Sequence, residues 1–236
     1  MDFMSNSARR AARMNAFVDS NSIISARAYN VIMGMVVLYG LVVNYILCAT
    51  VGASIYYSIR PVMFLILYMV LAFGGTFIAL KSDNAIVSFL GYNMVVLPLG
   101  ILVSAVVEAY GGVSSSVVLG AIYYTALITA IMVLSAMLFP GVFARIGGFL
   151  FAAVIGLIIT GIISAFTGMF YGIYSYVGAI IFSLYIGYDF YRSQQFPKTL
   201  DNAVDCALDI YLDIINLFLF VLRIIGNGSS SSGRAK

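Results

Sequence analysis

Charged residues are so sparse along this chain that the neutral stretches between them read as element lengths. Those stretches run from Ala28 to Ile59, Pro61 to Leu80, Asn84 to Val107, Ala109 to Ala144 and Ile146 to Tyr188. A helix crossing a bilayer needs about 20 apolar residues. The last stretch, 43 residues long, therefore crosses twice, with a turn near Thr167 to Tyr171. The pattern predicts seven spans, at 30–54, 60–80, 85–107, 116–139, 145–166, 171–195 and 203–225. The fold class expected is an all-α polytopic membrane protein whose C-terminal helix is central.

Composition agrees with the pattern. Of 236 residues, 63% are hydrophobic and 9% charged, where a soluble domain carries about 25% charged residues. The first apolar run starts too late and is too long for a cleaved signal peptide, and several more follow it. One membrane domain, 29–226, is expected between a polar basic segment, 1–28, and a Gly/Ser-rich tail, 227–236, read as disordered. The leading segment is either an amphipathic surface helix or a disordered basic leader.

Arginine and lysine set the orientation, since cytoplasmic loops retain an excess of them. With the N-terminus inside, that side holds Arg9, Arg10, Arg13, Arg27, Lys81, Arg145, Arg192 and Lys198, against Arg60, Arg223, Arg234 and Lys236 outside. An odd span count then places the C-terminus outside. Gly148, Ala152 and Gly156 form a small-residue stripe expected to seat a neighbouring helix. Pro98 is expected to kink the third span.

The absence of histidine removes imidazole metal sites, Ser-His and Cys-His dyads and the usual sensor of near-neutral pH. Cys48 and Cys206 lie in different spans near opposite faces, so neither a disulfide nor zinc is expected. A net charge of +3 without an aromatic-studded basic surface excludes nucleic acid as a partner. No enzyme activity and no resident cofactor are expected.

Two carboxylates remain, in IGYDFYR and IYLDIINLF: Asp189 and Asp213. Each costs several kcal/mol inside a bilayer unless paired or wetted. They stand 24 residues apart about Asp201, in the polar turn FPKTLDN. In an antiparallel hairpin they therefore lie level, each about 18 Å from the tip. Asp201, Asp205, Asp209 and Asp213 recur every four residues, giving a slowly drifting acidic stripe. By register Arg192 reaches Asp209 and Lys198 reaches Asp205. Asp201 and Asp205, near the surface, read as ordinary solvated residues. A bland alternative stays open for Asp189 and Asp213: they pin two helices together through a shared proton.

The stretch from Tyr185 to Gly226, with YD in the sixth span, IYLDIINLF in the seventh and the closing LRIIG, resembles the Bax-inhibitor-motif membrane proteins. That resemblance implies a pH-sensitive calcium leak in a bacterial inner membrane, with Asp189 and Asp213 as a di-aspartyl sensor and gate. Asp209 matches an acidic position of eukaryotic members. Phe190 and Tyr191 stand where the family often has polar residues, and Lys81 where bacterial members carry an arginine. Lys81 lacks the bidentate fork of arginine.

On this reading the partners are lipid, calcium and protons, and protein partners stay unassigned. Two carboxylates and water make a weak, transient calcium site at Asp189 and Asp213, which suits conduction. Two such groups in contact cannot both ionise easily, so they titrate as a pair and replace histidine as the sensor. Three rival readings share some of these features. An intramembrane aspartyl protease shares the YD motif but needs GxGD and PAL sequences that are missing. A proton-coupled transporter and a non-conducting regulator of other membrane proteins stay open.

Overall fold

The structure, a computed structural model, describes residues 22–50, 52–167 and 171–232, and no strand occurs among them. Eight helices follow in order: α1 (Ala26–Ala49), α2 (Gly52–Ser58), α3 (Pro61–Lys81), α4 (Ala85–Ala109), α5 (Ser116–Leu138), α6 (Pro140–Thr167), α7 (Tyr171–Ser193) and α8 (Leu200–Ser232). Residues 1–21 of the expected basic segment, 1–28, and the end of the tail, 233–236, lie outside the described residues.

Each expected span falls on a long helix. Six of these, α1 and α3 to α7, are long and apolar enough to cross a membrane. The seventh, α8, is different in kind. It is 33 residues long, carries all four aspartates of the stripe and is buried along most of its length. It packs against α1, α4, α5 and α7, with α7 its most extensive partner. The lipid-side helices instead expose their apolar residues, as Val62, Met63, Leu65 and Ile66 do on α3.

Local signals place the helix ends. Ser25, Asn84 and Ser115 are N-caps whose side-chain oxygens accept from Ala28, Ile86 and Val118 backbone N–H groups, satisfying donors that a helix start leaves orphaned. Pro61 starts α3, where its missing N–H costs nothing. Gly111 and Gly112, at φ of 94° and 79°, take the left-handed conformation that ends α4. The Gly112 N–H returns to the Val107 carbonyl at 3.0 Å.

Lipid is as apolar as leucine, so close packing holds such helices together more than burial does. Glycines opposite aromatic rings supply it. Tyr92 and Tyr211 press onto Gly40, Phe220 onto Gly178 and Phe143 onto Gly187, leaving no space for a Cβ. Gly75 and Gly91 bring the backbones of α3 and α4 together, a Cβ on either coming within 2.5 Å of the other's carbonyl oxygen.

Several expectations are corrected. The stripe of Gly148, Ala152 and Gly156 is exposed, with nothing within 4 Å of a Cβ at Gly148 or Gly156. The residues of α6 that meet α7 instead include Gly147 and Gly161, under the Tyr188 and Tyr174 rings, and Phe143, whose ring lies on Gly187. The first span ends at Ala49, five residues early, and Gly52 starts a separate short helix packed on Ser104. The tail expected to be disordered from Asn227 continues α8 to Ser232. Gly and Ser each cost a helix about 1 kcal/mol or less, and no proline stops it.

Candidate functional site

The site is the α7–α8 hairpin and what surrounds its acidic stripe. Its connecting loop is fixed by short-range bonds. Gln194 and Gln195 N–H groups return to the Tyr191 and Arg192 carbonyls, and Thr199 caps α8 by accepting from the Asn202 N–H at 3.1 Å. The Asn202 amide donates to the Pro197 carbonyl at 2.9 Å.

The start of α1 clasps this loop. The Ile24 N–H donates to the Lys198 carbonyl at 2.8 Å. The Tyr29 hydroxyl lies among the Ser193 carbonyl (3.1 Å), the Asn202 carbonyl (3.4 Å) and Cys206 Sγ (3.3 Å). The Lys198 ammonium donates to that same Ser193 carbonyl at 3.1 Å and sits 4.6 Å above the Tyr29 ring. Burial pulls Lys198 below the usual lysine range.

Four-residue spacing exceeds the helical repeat by about 40° per step, so the stripe winds through about 120° from Asp201 to Asp213. Each aspartate consequently meets a different neighbour. Asp201, expected to be solvated, is buried at 7% exposure, and the Ser88 hydroxyl of α4 donates to its Oδ1 at 2.6 Å. Its place in the first turn of α8 also puts a negative charge at the positive end of the helix dipole. Asp205 and Asp209, both half-buried, lie within electrostatic reach of Tyr29. Asp213, one turn further, is buried at 6% exposure.

Arg192, which register had matched to Asp209, lies 3.8 Å from Asp189 one turn back on α7. Its guanidinium also lies over the Tyr188 and Phe196 rings, at 6.0 and 5.8 Å. Lys81 is exposed at the end of α3, above its own Phe77. Ala79, two residues earlier, offers its carbonyl to Ser88 beside Asp201. Lys81 is thus level with Asp201, about 18 Å of helix from Asp213, which removes it as a closing bridge for the pair.

Beyond Asp213 the path along α8 becomes apolar. Ile214, Ile215, Leu217 and Phe218 are buried. At the same depth the Asn44 amide donates to the Tyr211 hydroxyl at 2.7 Å, and the Tyr211 and Tyr92 rings lie 5.6 Å apart. The Ser88–Asp201 and Asn44–Tyr211 pairs were not anticipated. A serine and an asparagine inside otherwise apolar spans were the available signals. No three His, Cys, Asp or Glu side chains converge among the described residues, so Asp189 and Asp213 with water offer a cation at most a weak site.

Helices exposing apolar surface around one buried acidic helix define a polytopic membrane protein with a polar track inside its bundle. The chain matches the family described as Inhibitor of apoptosis-promoting Bax1 over residues 21–230 and belongs to it. No curated protein matches it.

Proposed function

We propose that the protein is a pH-sensitive passive cation leak, with calcium as a permeant ion and Asp189 and Asp213 as its joined sensor and gate. On this reading all seven long helices span the membrane, a bacterial inner membrane, with the N-terminus inside. The observation that carries the reading is that two carboxylates, Asp189 on α7 and the buried Asp213 on α8, are brought in on two helices packed extensively against each other. Such groups are costly in lipid, and close together they titrate as a pair.

The mechanism follows from the contacts. Asp205 and Asp209 form the entrance, and their fields concentrate cations. In the closed state ionised Asp189 holds Arg192, which ring contacts with Tyr188 and Phe196 keep in place. A proton taken up by the pair weakens this hold and lets α7 shift against α8 at the apolar stretch beyond Asp213. Cytoplasmic acid then favours leakage. Water and the two carboxylates coordinate a passing calcium ion briefly, as conduction requires.

Calcium flux through purified protein in liposomes, measured from about pH 6 to pH 8, tests this. Wild type passes calcium with a pH-dependent rate. Asp189→Asn and Asp213→Asn each lose or strongly distort that dependence while folding normally, because Asn imitates a protonated Asp that cannot titrate. A wild-type profile in both variants leaves the pair as a structural pin. Absence of flux in the wild type favours a non-conducting regulator, and flux that requires a proton gradient favours a coupled transporter.

A further inference from the structure

Away from the acidic track, a cavity of about 460 Å³ lies between α1 and α5, backed by α8. Its volume is that of a small-molecule site. The lining is apolar, including Val37, Leu41, Val107, Ile122 and Phe218. The rim residues Leu38 and Tyr45 on α1 and Ile122 on α5 are exposed, at 60%, 55% and 41%, so the cavity opens sideways, toward lipid. On α1 the lining runs from Gly34 to Cys48, about 21 Å of helix.

Two hydroxyls inside it stand out. Thr125, only 4% exposed, and Thr129 both line the cavity, and neither hydroxyl has a hydrogen-bond partner. Several serines and threonines in this chain bond back to the carbonyl four residues earlier, as Thr50, Ser58, Ser135 and Ser183 do. Thr125 and Thr129 forgo that bond and present two donors one turn apart. They stand about 14 and 20 Å from the start of α5, near the middle of a hydrocarbon core about 30 Å thick. A buried hydroxyl without a partner is costly, most of all there.

We infer that this cavity binds a single-chain, membrane-dissolved amphiphile, an acyl or prenyl chain bearing one hydroxyl or carbonyl oxygen, which Thr125 and Thr129 bond at mid-membrane depth. The depth selects this chemistry. The ester groups of an ordinary two-chain lipid are held at the headgroup boundary, whereas the two threonines lie near the centre of the core. The inference does not depend on the leak reading, since it uses none of the aspartates.

A photoreactive diazirine hexadecanol, added to full-length protein in phosphatidylcholine liposomes and mapped by mass spectrometry, tests it. Labelling concentrates on the cavity-lining segments of α1 and α5. Unlabelled hexadecanol displaces it about five- to tenfold better than hexadecane, the advantage expected of one buried hydrogen bond. The Thr125→Val, Thr129→Val double variant keeps volume and erases that advantage. Ala126→Phe, at an exposed lining position, blocks entry and lowers labelling several-fold while leaving the fold intact. Labelling spread equally over the exposed faces of α3 and α6, equal competition by hexadecane, or undiminished labelling in Ala126→Phe each overturns the site in favour of ordinary annular lipid.

Discussion

At the scale of single residues, the most informative side chain is Asp201. Its position beside a polar turn argues for a solvated surface charge, yet it is buried against Ser88. A sequence shows depth along a helix but not which neighbour stands across from it, and Ser88 lies 113 positions away. Asp189 and Asp213 stand out in the sequence because a carboxylate inside a long apolar run is costly in lipid unless paired or wetted. The contacts of Arg192 with Asp189 and of Lys198 with the Ser193 carbonyl are harder to read, since long flexible side chains reach several partners at similar cost. Ser88→Ala removes a charge-assisted hydrogen bond at a buried carboxylate and should lower unfolding stability by about 1.5–3 kcal/mol. Chemical denaturation in detergent checks this, and Ser88→Thr, which keeps the hydroxyl, should recover most of the loss.

Among elements, the helices themselves were readable and their rotations were not. All seven expected spans begin within about five residues of the helix found, because element length follows from bilayer thickness. Which face of α6 packs depends instead on the shape of α7. There Tyr188 and Tyr174 fit over Gly147 and Gly161, while Gly148, Ala152 and Gly156 turn outward. Two alanine substitutions separate these situations. Gly148→Ala meets open space and gains helix propensity, so it should be neutral or stabilising by up to about 1 kcal/mol. Gly178→Ala drives a methyl into the Phe220 ring and should cost about 1–3 kcal/mol. Thermal unfolding of both variants, followed by circular dichroism, measures the contrast.

For the molecule as a whole, the layout expected from charge and parity is a seven-span bundle with its termini on opposite sides. Single cysteines placed at Ser5 and Ser230, in a background lacking Cys48 and Cys206, report on it. An impermeant thiol reagent should label only Ser230→Cys from outside intact cells and only Ser5→Cys in inverted vesicles. Labelling of both from one side means that the parity is even.

The clasp between α1 and the α7–α8 hairpin has a consequence for biosynthesis. Tyr29 and Asn44 emerge first from the ribosome, yet their partners Ser193, Cys206 and Tyr211 lie 164 to 177 positions later. Until the last helix is translated, α1 must wait in the membrane with these polar groups unmet. α8, burdened with four aspartates, then has to enter a receptacle already formed by its predecessors rather than plain lipid. Chains truncated at Lys198 should therefore insert yet remain targets for membrane proteases, with half-lives well below that of the complete chain in pulse-chase measurements. Co-expressing residues 199–236 as a separate segment should restore their lifetime if the receptacle forms without α8.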